Sequence, residues 1–172
     1  MSAIDEQAAG VAGKSTHDGG QLSVGDATRA TLPQLRYGDA VDQALAALMF
    51  LPDIVEAGMR KESGPVGRRE LFLRAEWLPG HDDLVPAPLC ESGMAVEWSH
   101  LAGWSVRAGD DLVALDVDEL ADPATVAEAA MHAALCGLRC DCDKPPPGRW
   151  DHAVYLDVAL GRFDERTDGV SG

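Results

Sequence analysis

From Tyr37, the apolar residues Val41, Leu45, Leu48 and Met49 recur at helical spacing just behind Asp39, and this predicts a first amphipathic helix with that aspartate as its N-cap. Pro52 falls inside the periodic run. A kinked or broken helix is therefore expected, restarting at Asp53, carrying Ile54, Val55 and Met59, and ending near Arg60. Beyond the loop Lys61–Gly67 the period drops to two: Leu71, Leu73, Ala75 and Trp77 alternate with Phe72, Arg74 and Glu76, as in a strand with one buried face. Turn-formers and prolines from Pro79 to Pro88 predict an irregular loop. Met94, Val96 and Trp98, then Trp104 and Val106, then Val113, Leu115 and Val117 mark three more strands. The segments around Gly103 and Gly109 serve as turns.

Asp122 followed by Pro123 is the clearest helix start in the chain, with Val126, Ala130, Ala133, Ala134 and Leu138 along one flank. Three consecutive prolines between Cys140 and Arg149 predict a stiff, extended connection. The last element, Asp151 to Phe163, reads either as a helix, with Ala153, Leu156, Ala159, Leu160 and Phe163 on one side, or as a strand, with Val154, Leu156, Val158 and Leu160 alternating; Asp151 as a cap favours the helix. The expected fold class is α+β: a four-stranded antiparallel meander whose apolar face is covered by helices while Arg74, Glu76, Glu97 and Arg107 meet water on the other. The predicted organisation is a disordered tail over residues 1–36, a single domain over 37–163 and a frayed tail over 164–172.

Charge narrows the range of partners. The chain of 172 residues carries 29 carboxylates against 14 Lys and Arg, a formal net charge of −15, which opposes binding to nucleic-acid phosphates or an anionic membrane surface. No apolar run is long enough to span a bilayer, and the N-terminal stretch lacks the layout of a secretion signal, so a cytoplasmic location is expected. Four cysteines, three of them crowded at Cys136, Cys140 and Cys142, do not make a spaced disulfide framework, which leaves reduced thiols or a metal site.

The candidate chemistry lies in His132, Cys136, Cys140 and Cys142, with His152 as a further member, because thiolates and imidazoles are the ligands zinc prefers. On a helix reaching Arg139, His132 and Cys136 share a face and Cys140 follows a turn later. This spacing differs from the paired C-x₂-C knuckle, and thiols that merely sit at a helix end are the plainer account. Trp77, Trp98 and Trp104 fall on strands and read as core first, as a docking platform second. Nine carboxylates between Asp110 and Asp143 face only Arg139 in sequence; they lack the order of a calcium loop and read as solvated turns and a helix N-terminus. Phosphate-loop, nucleophile-elbow, zinc-protease and dinucleotide motifs are missing, and His81 and His100 read as solvated loop histidines.

The run Gly93 to Trp98, the following Gly103-Trp104-Ser105-Val106, the stretch Asp111 to Leu115 and the Asp122-Pro123 helix start together resemble small uncharacterised α/β domains encoded in high-GC actinobacterial genomes. The resemblance spans about Tyr37 to Leu138 and implies no activity, cofactor or site residue. The leading functional expectation is a non-catalytic cytosolic accessory domain that binds another protein and carries no cofactor. The alternatives are a zinc-binding domain built on the His132, Cys136, Cys140 and Cys142 cluster, and an acidic mimic of nucleic acid.

Overall fold

The computed structural model describes residues 31–61, 67–142 and 147–168. Within them the order is α1 (Leu35–Ala47), β1 (Ile54–Lys61), β2 (Arg69–Trp77), α2 (Ala87–Ser92), β3 (Met94–Ser99), β4 (Gly103–Ala108), β5 (Asp111–Ala114), α3 (Pro123–Cys136) and α4 (Ala153–Asp168). The strands form one antiparallel sheet in the order β1-β2-β3-β4-β5. The α+β class and the meander agree with the sequence pattern, but the sheet has five strands where four were expected.

The extra strand is β1, which occupies the segment expected to restart the helix. Its residues are exposed apart from the half-buried Gly58, so no alternation of apolar and polar positions marks it. Ile54 and Val55 favour a pleated backbone over a helix, and the ladder to β2, from Ile54 opposite Glu76 to Lys61 opposite Arg69, satisfies its backbone along one edge. Helix α1 ends before Pro52 by a turn in which Met49 takes a positive φ of 56° and Phe50 N–H donates to the Leu45 carbonyl at 3.0 Å. Phe50 then stacks on Trp77 at 4.2 Å.

At its other end α1 starts earlier than expected. Gln34 holds the N-cap position without a side-chain cap, and Asp39 lies exposed within the helix. The buried stripe is Tyr37, Val41 and Leu45, whereas Leu48 and Met49 point to solvent. Leu35 and Arg36, expected in the tail, are therefore the first residues of the helix; residues 1–30 lie outside the described residues, as do 62–66 of the expected loop and 169–172 of the C-terminal tail. Helix α4 is a helix and not a strand, and it continues to Asp168 through the segment expected to fray.

Register puts the expected core residues on one face: Leu73 lies opposite Trp98, Ala75 opposite Val96, Val96 opposite Val106, and Val106 opposite Val113. Helices α1, α3 and α4 cover this face. The alanines of α3 (Ala127, Ala130, Ala133 and Ala134) are buried and allow close approach. Tyr37 sits at the centre, with Trp98 and Trp104 each 5.9 Å away edge-on and Trp150 at 4.9 Å. Its hydroxyl donates to the Ala121 carbonyl at 2.6 Å and accepts from Trp104 Nε1 at 3.0 Å. Burial, against the hydrogen bond from Trp104, lifts this phenol well above its ordinary range. The tryptophans are thus core, and Trp98 Nε1 finds the Glu119 carbonyl at 2.7 Å.

The opposite face stays open and carries a mixed ladder of charge. Arg74 meets Glu76 at 3.0 Å and Glu97 at 3.6 Å, Arg107 meets Glu97 at 3.8 Å, and Arg60 pairs with Glu70 at 2.7 Å while lying over the Phe72 ring. Between β2 and β3 the expected irregular loop closes with the short helix α2 behind Pro86, and Leu89 is buried beneath it. No described helix is long and apolar enough to cross a membrane.

Candidate metal centre

Helix α3 begins with Asp122, whose side chain accepts from Ala124 N–H at 2.9 Å ahead of Pro123 at the first helical position. It ends at Cys136 because Gly137 takes a φ of 93°, a conformation that turns the chain back across the last helical turn. His132 and Cys136, four residues apart, therefore share a face, and the reversing segment brings Cys140 and Cys142 onto it. One ligand atom from each of the four residues lies within 4.8 Å of all the others. His132 Nε2 is 2.6 Å from Cys140 Sγ.

The set is graded in exposure: His132 and Cys140 are half-buried, Cys136 and Cys142 exposed. Hydrogen bonding to Cys140 first, then the charge of Cys140 and a hydrogen bond to Cys136, push the Cys142 thiol up to about 11. Thiols this close resist ionising together, and a soft divalent cation removes the conflict because coordination replaces the protons. Three sulfurs and one imidazole nitrogen form a Cys₃His set, the composition of a closed tetrahedral zinc site. Beneath it, between α3 and the β4–β5 edge, Val106, Val113, Leu115 and Leu138 line a cleft of about 280 Å³.

The sequence named these four residues as candidates and suggested His152 as a further one, which the fold places elsewhere. His152 lies against Trp150 and Tyr155 at ring distances of 5.3 and 6.4 Å and is not part of the cluster. Cys90, the remaining cysteine, points its Sγ at the Leu84 carbonyl at 2.7 Å. The chain then returns to the start of α3: Asp122 N–H donates to the Gly148 carbonyl and Trp150 N–H to the Leu120 carbonyl, at 3.0 and 2.9 Å. The connection is tied at this end by backbone pairing, and its other end begins at the cysteines gathered beside His132.

The other candidate histidines are occupied. His100, expected to be solvated, has a side chain only 2 % exposed. Its Nδ1 accepts from Leu71 N–H at 3.0 Å, which places the proton on Nε2, facing Asp164 Oδ1 at 3.0 Å. Both ring nitrogens are thereby used to fasten α4 to the sheet, with Phe163 edge-on to the ring at 5.5 Å. His81 Nδ1 accepts from Asp83 N–H at 3.2 Å. Of the carboxylates after Asp110, Asp111 pairs with Arg139 and Asp118 with Arg149, which also meets Asp157, and Asp122 caps α3.

A scan against protein-family models and searches of curated proteins and of solved structures return no match.

Proposed function

We propose that this chain is a zinc-binding α+β domain in which His132, Cys136, Cys140 and Cys142 hold one Zn²⁺ that fastens the α3–α4 connection to the end of α3. The observation that carries the reading is the convergence of all four ligand atoms within 4.8 Å. Lone thiols at a frayed helix end have no reason to gather a histidine from the preceding turn and a cysteine from the far side of a reversal. With four protein ligands the site leaves no position for substrate, so its role is structural. Cobalt titration of the metal-free, reduced chain tests this. A saturable one-equivalent rise of tetrahedral d–d absorption with thiolate charge-transfer bands is expected, and it should be lost in the Cys140→Ser variant. A pale, octahedral spectrum would contradict the proposal.

A second reading, that the domain is a protein-binding accessory module, is favoured by the outer face of α4. Val154, Tyr155 and Val158 are 67, 76 and 51 % exposed there, close together on one helical stripe. The two readings are compatible, since the metal would fix the approach to that helix. Capture from a native lysate with paired baits, wild type and a Tyr155→Asp/Val158→Asp variant, should retain a protein with the first alone. Identical retention by both contradicts the reading. The acidic-mimic alternative gains nothing from the open sheet face, where Arg60, Arg74 and Arg107 interleave with the carboxylates.

A further inference from the structure

Among the described residues the sheet has two edges, and they are built differently. Strand β5 is four residues long, from Asp111 to Ala114. Strand β1 runs for eight residues, contains no proline, and pairs with β2 at every position from Ile54 to Lys61 without a bulge. Natural edges are commonly blunted by shortness, proline or bulges, and β1 uses none of these.

The ladder fixes which of its backbone groups are free. His100 N–H donates to the Leu71 carbonyl at 3.2 Å, so the odd-numbered residues of β2 turn their amides and carbonyls toward β3. Phe72, Arg74 and Glu76 then serve Gly58, Glu56 and Ile54. Val55, Ala57, Met59 and Lys61 therefore point their N–H and C=O groups away from the sheet, where no described residue meets them. The added contact from Gln34 Nε2, at 2.9 Å, goes to the Gly58 carbonyl, which belongs to the paired set.

Beside this edge the side chains on one face are apolar. Val55, Ala57 and Met59 stand opposite Ala75, Leu73 and Leu71 on the helix-covered face, yet Val55 and Met59 remain 57 and 46 % exposed. Helix α1 makes its close approach to β2 instead, at Gly38, where a Cβ would stand 2.8 Å from Leu73 Cδ2. A cavity of about 110 Å³ is left between α1 and β1, with Val55 and Ala57 on the strand side and the buried Val41 and Leu73 further in. A further strand laid along β1 would meet the free backbone groups with its own and cover these side chains with alternate residues.

Charge selects what that strand carries. Lys61 lies directly opposite Arg69 in the ladder, and like charges so placed repel. Lys61, Arg68 and Arg69 are exposed and form no ion pair among the described residues, whereas Arg60 is joined to Glu70. In sequence the stretch from Arg60 to Glu70 sets these four cations against Glu62 and Glu70, on a chain of net charge −15. Toward Val55 the neighbours are acidic: Asp42 and Glu56 are exposed, Asp39 already has a partner, and Asp53 accepts from Leu78 N–H. The edge is thus basic at Lys61, apolar in the middle and acidic beyond Val55.

We infer that the free edge of β1 is a strand-addition site for an extended segment of a partner protein, acidic where it meets Lys61 and Arg69 and apolar at alternate residues along Met59, Ala57 and Val55. Antiparallel pairing, the arrangement of every ladder in the sheet, puts the acidic end of that segment at its N-terminus. The site shares no residue with the His/Cys cluster or the outer face of α4, and it needs no metal.

The acetylated, amidated peptide Asp-Glu-Val-Thr-Val-Thr-Val is the probe, with Lys-Lys-Val-Thr-Val-Thr-Val as its charge-reversed counterpart; each is titrated into the full chain and followed by amide NMR. The acidic peptide should shift the Val55, Ala57 and Met59 amides, slow their hydrogen exchange, and bind roughly tenfold more tightly than the basic one. Lys61→Glu/Arg69→Glu should invert that order. Ala57→Pro removes an outward N–H and no bond to β2, so it should abolish binding of both peptides while the β3 and β4 amides keep their shifts. No shift at β1 with either peptide, or binding unchanged in Ala57→Pro, would overturn the site itself. Equal binding of the two peptides would overturn the acidic occupant. Shifts at β1 that grow with protein concentration alone would identify a second copy as the occupant and overturn the partner segment.

Discussion

The two ends of α3 are held by different physics. At the Asp122 end the helix starts on a capping carboxylate beside Leu120 and Ala121, both buried, and the Ala121 carbonyl takes the Tyr37 hydroxyl that also anchors Trp104. The Tyr37 hydroxyl, the Trp104 indole and the Asp122 cap there are all hydrogen-bonded, and the surrounding rings supply the burial. At the Cys136 end Leu135 and Cys136 are exposed, Gly137 reverses the chain, and the segment to Cys142 adds only Leu138, half-buried, to the apolar contacts. A reversal with so little apolar area does not offset the entropy of ordering it, at about 1–2 kcal/mol per residue. Coordination is the stabilising interaction that the residues at this end are equipped to make.

The comparison can be broken from either side. Trp98→Ala removes a 1 % exposed ring from the Asp122 end and should cost about 3–5 kcal/mol, measured by urea unfolding, enough to threaten the whole fold. Tyr37→Phe keeps the ring but leaves the Ala121 carbonyl and Trp104 Nε1 without their partner, for a loss of about 1–3 kcal/mol in the same assay. Cys136→Ser should act locally. Hydrogen exchange of residues 137–142 is expected to accelerate while the amides of β2, β3 and β4 keep their protection. Global loss of protection in that variant would mean that the metal end supports the core as well.

The smallest effect belongs to the open sheet face. Burial alone would raise the Glu70 carboxyl, but hydrogen bonds from Arg60 and Ser99 and the Arg60 charge outweigh it and hold the group below its ordinary value. A carboxyl lowered in the folded state contributes stability above its unfolded pKa, near ~4.3, and loses it as pH falls through the lower folded value. Glu70→Gln should therefore flatten the acid limb of the stability curve by less than ~1 kcal/mol, because Arg60 is 45 % exposed and screened. An unchanged acid limb would show that the pair contributes nothing.

Sequence periodicity was informative where large apolar and polar residues alternate, even where burial is not one-sided. Strand β2 alternates in burial as in sequence, β3 was legible from Met94, Val96 and Trp98 although it is buried nearly throughout, and α3 was legible from Asp122-Pro123. Strand β1 hides neither face, so reading Ile54, Val55 and Met59 as a restarted helix misled, although the β-branched pair Ile54-Val55 already favoured a strand. The start of α1 was missed because it lacks a capping side chain, and Tyr37, the centre of the core, was taken for its boundary. In the candidate site, His132, Cys136 and Cys140 were suggested by helical spacing. Cys142 was named from residue type, but its place beside them depends on the reversal at Gly137; His152 is held away against Trp150 and Tyr155, and the pairing of His100 with Asp164 joins residues 64 positions apart that no local pattern connects.

The most direct test is the metal content and coordination of the full chain purified under reducing conditions without added metal. About one equivalent of zinc is expected, with X-ray absorption showing three sulfurs near ~2.3 Å and one nitrogen near ~2.0 Å. Less than a tenth of an equivalent, with a melting temperature indifferent to chelator and to added zinc, would contradict the account.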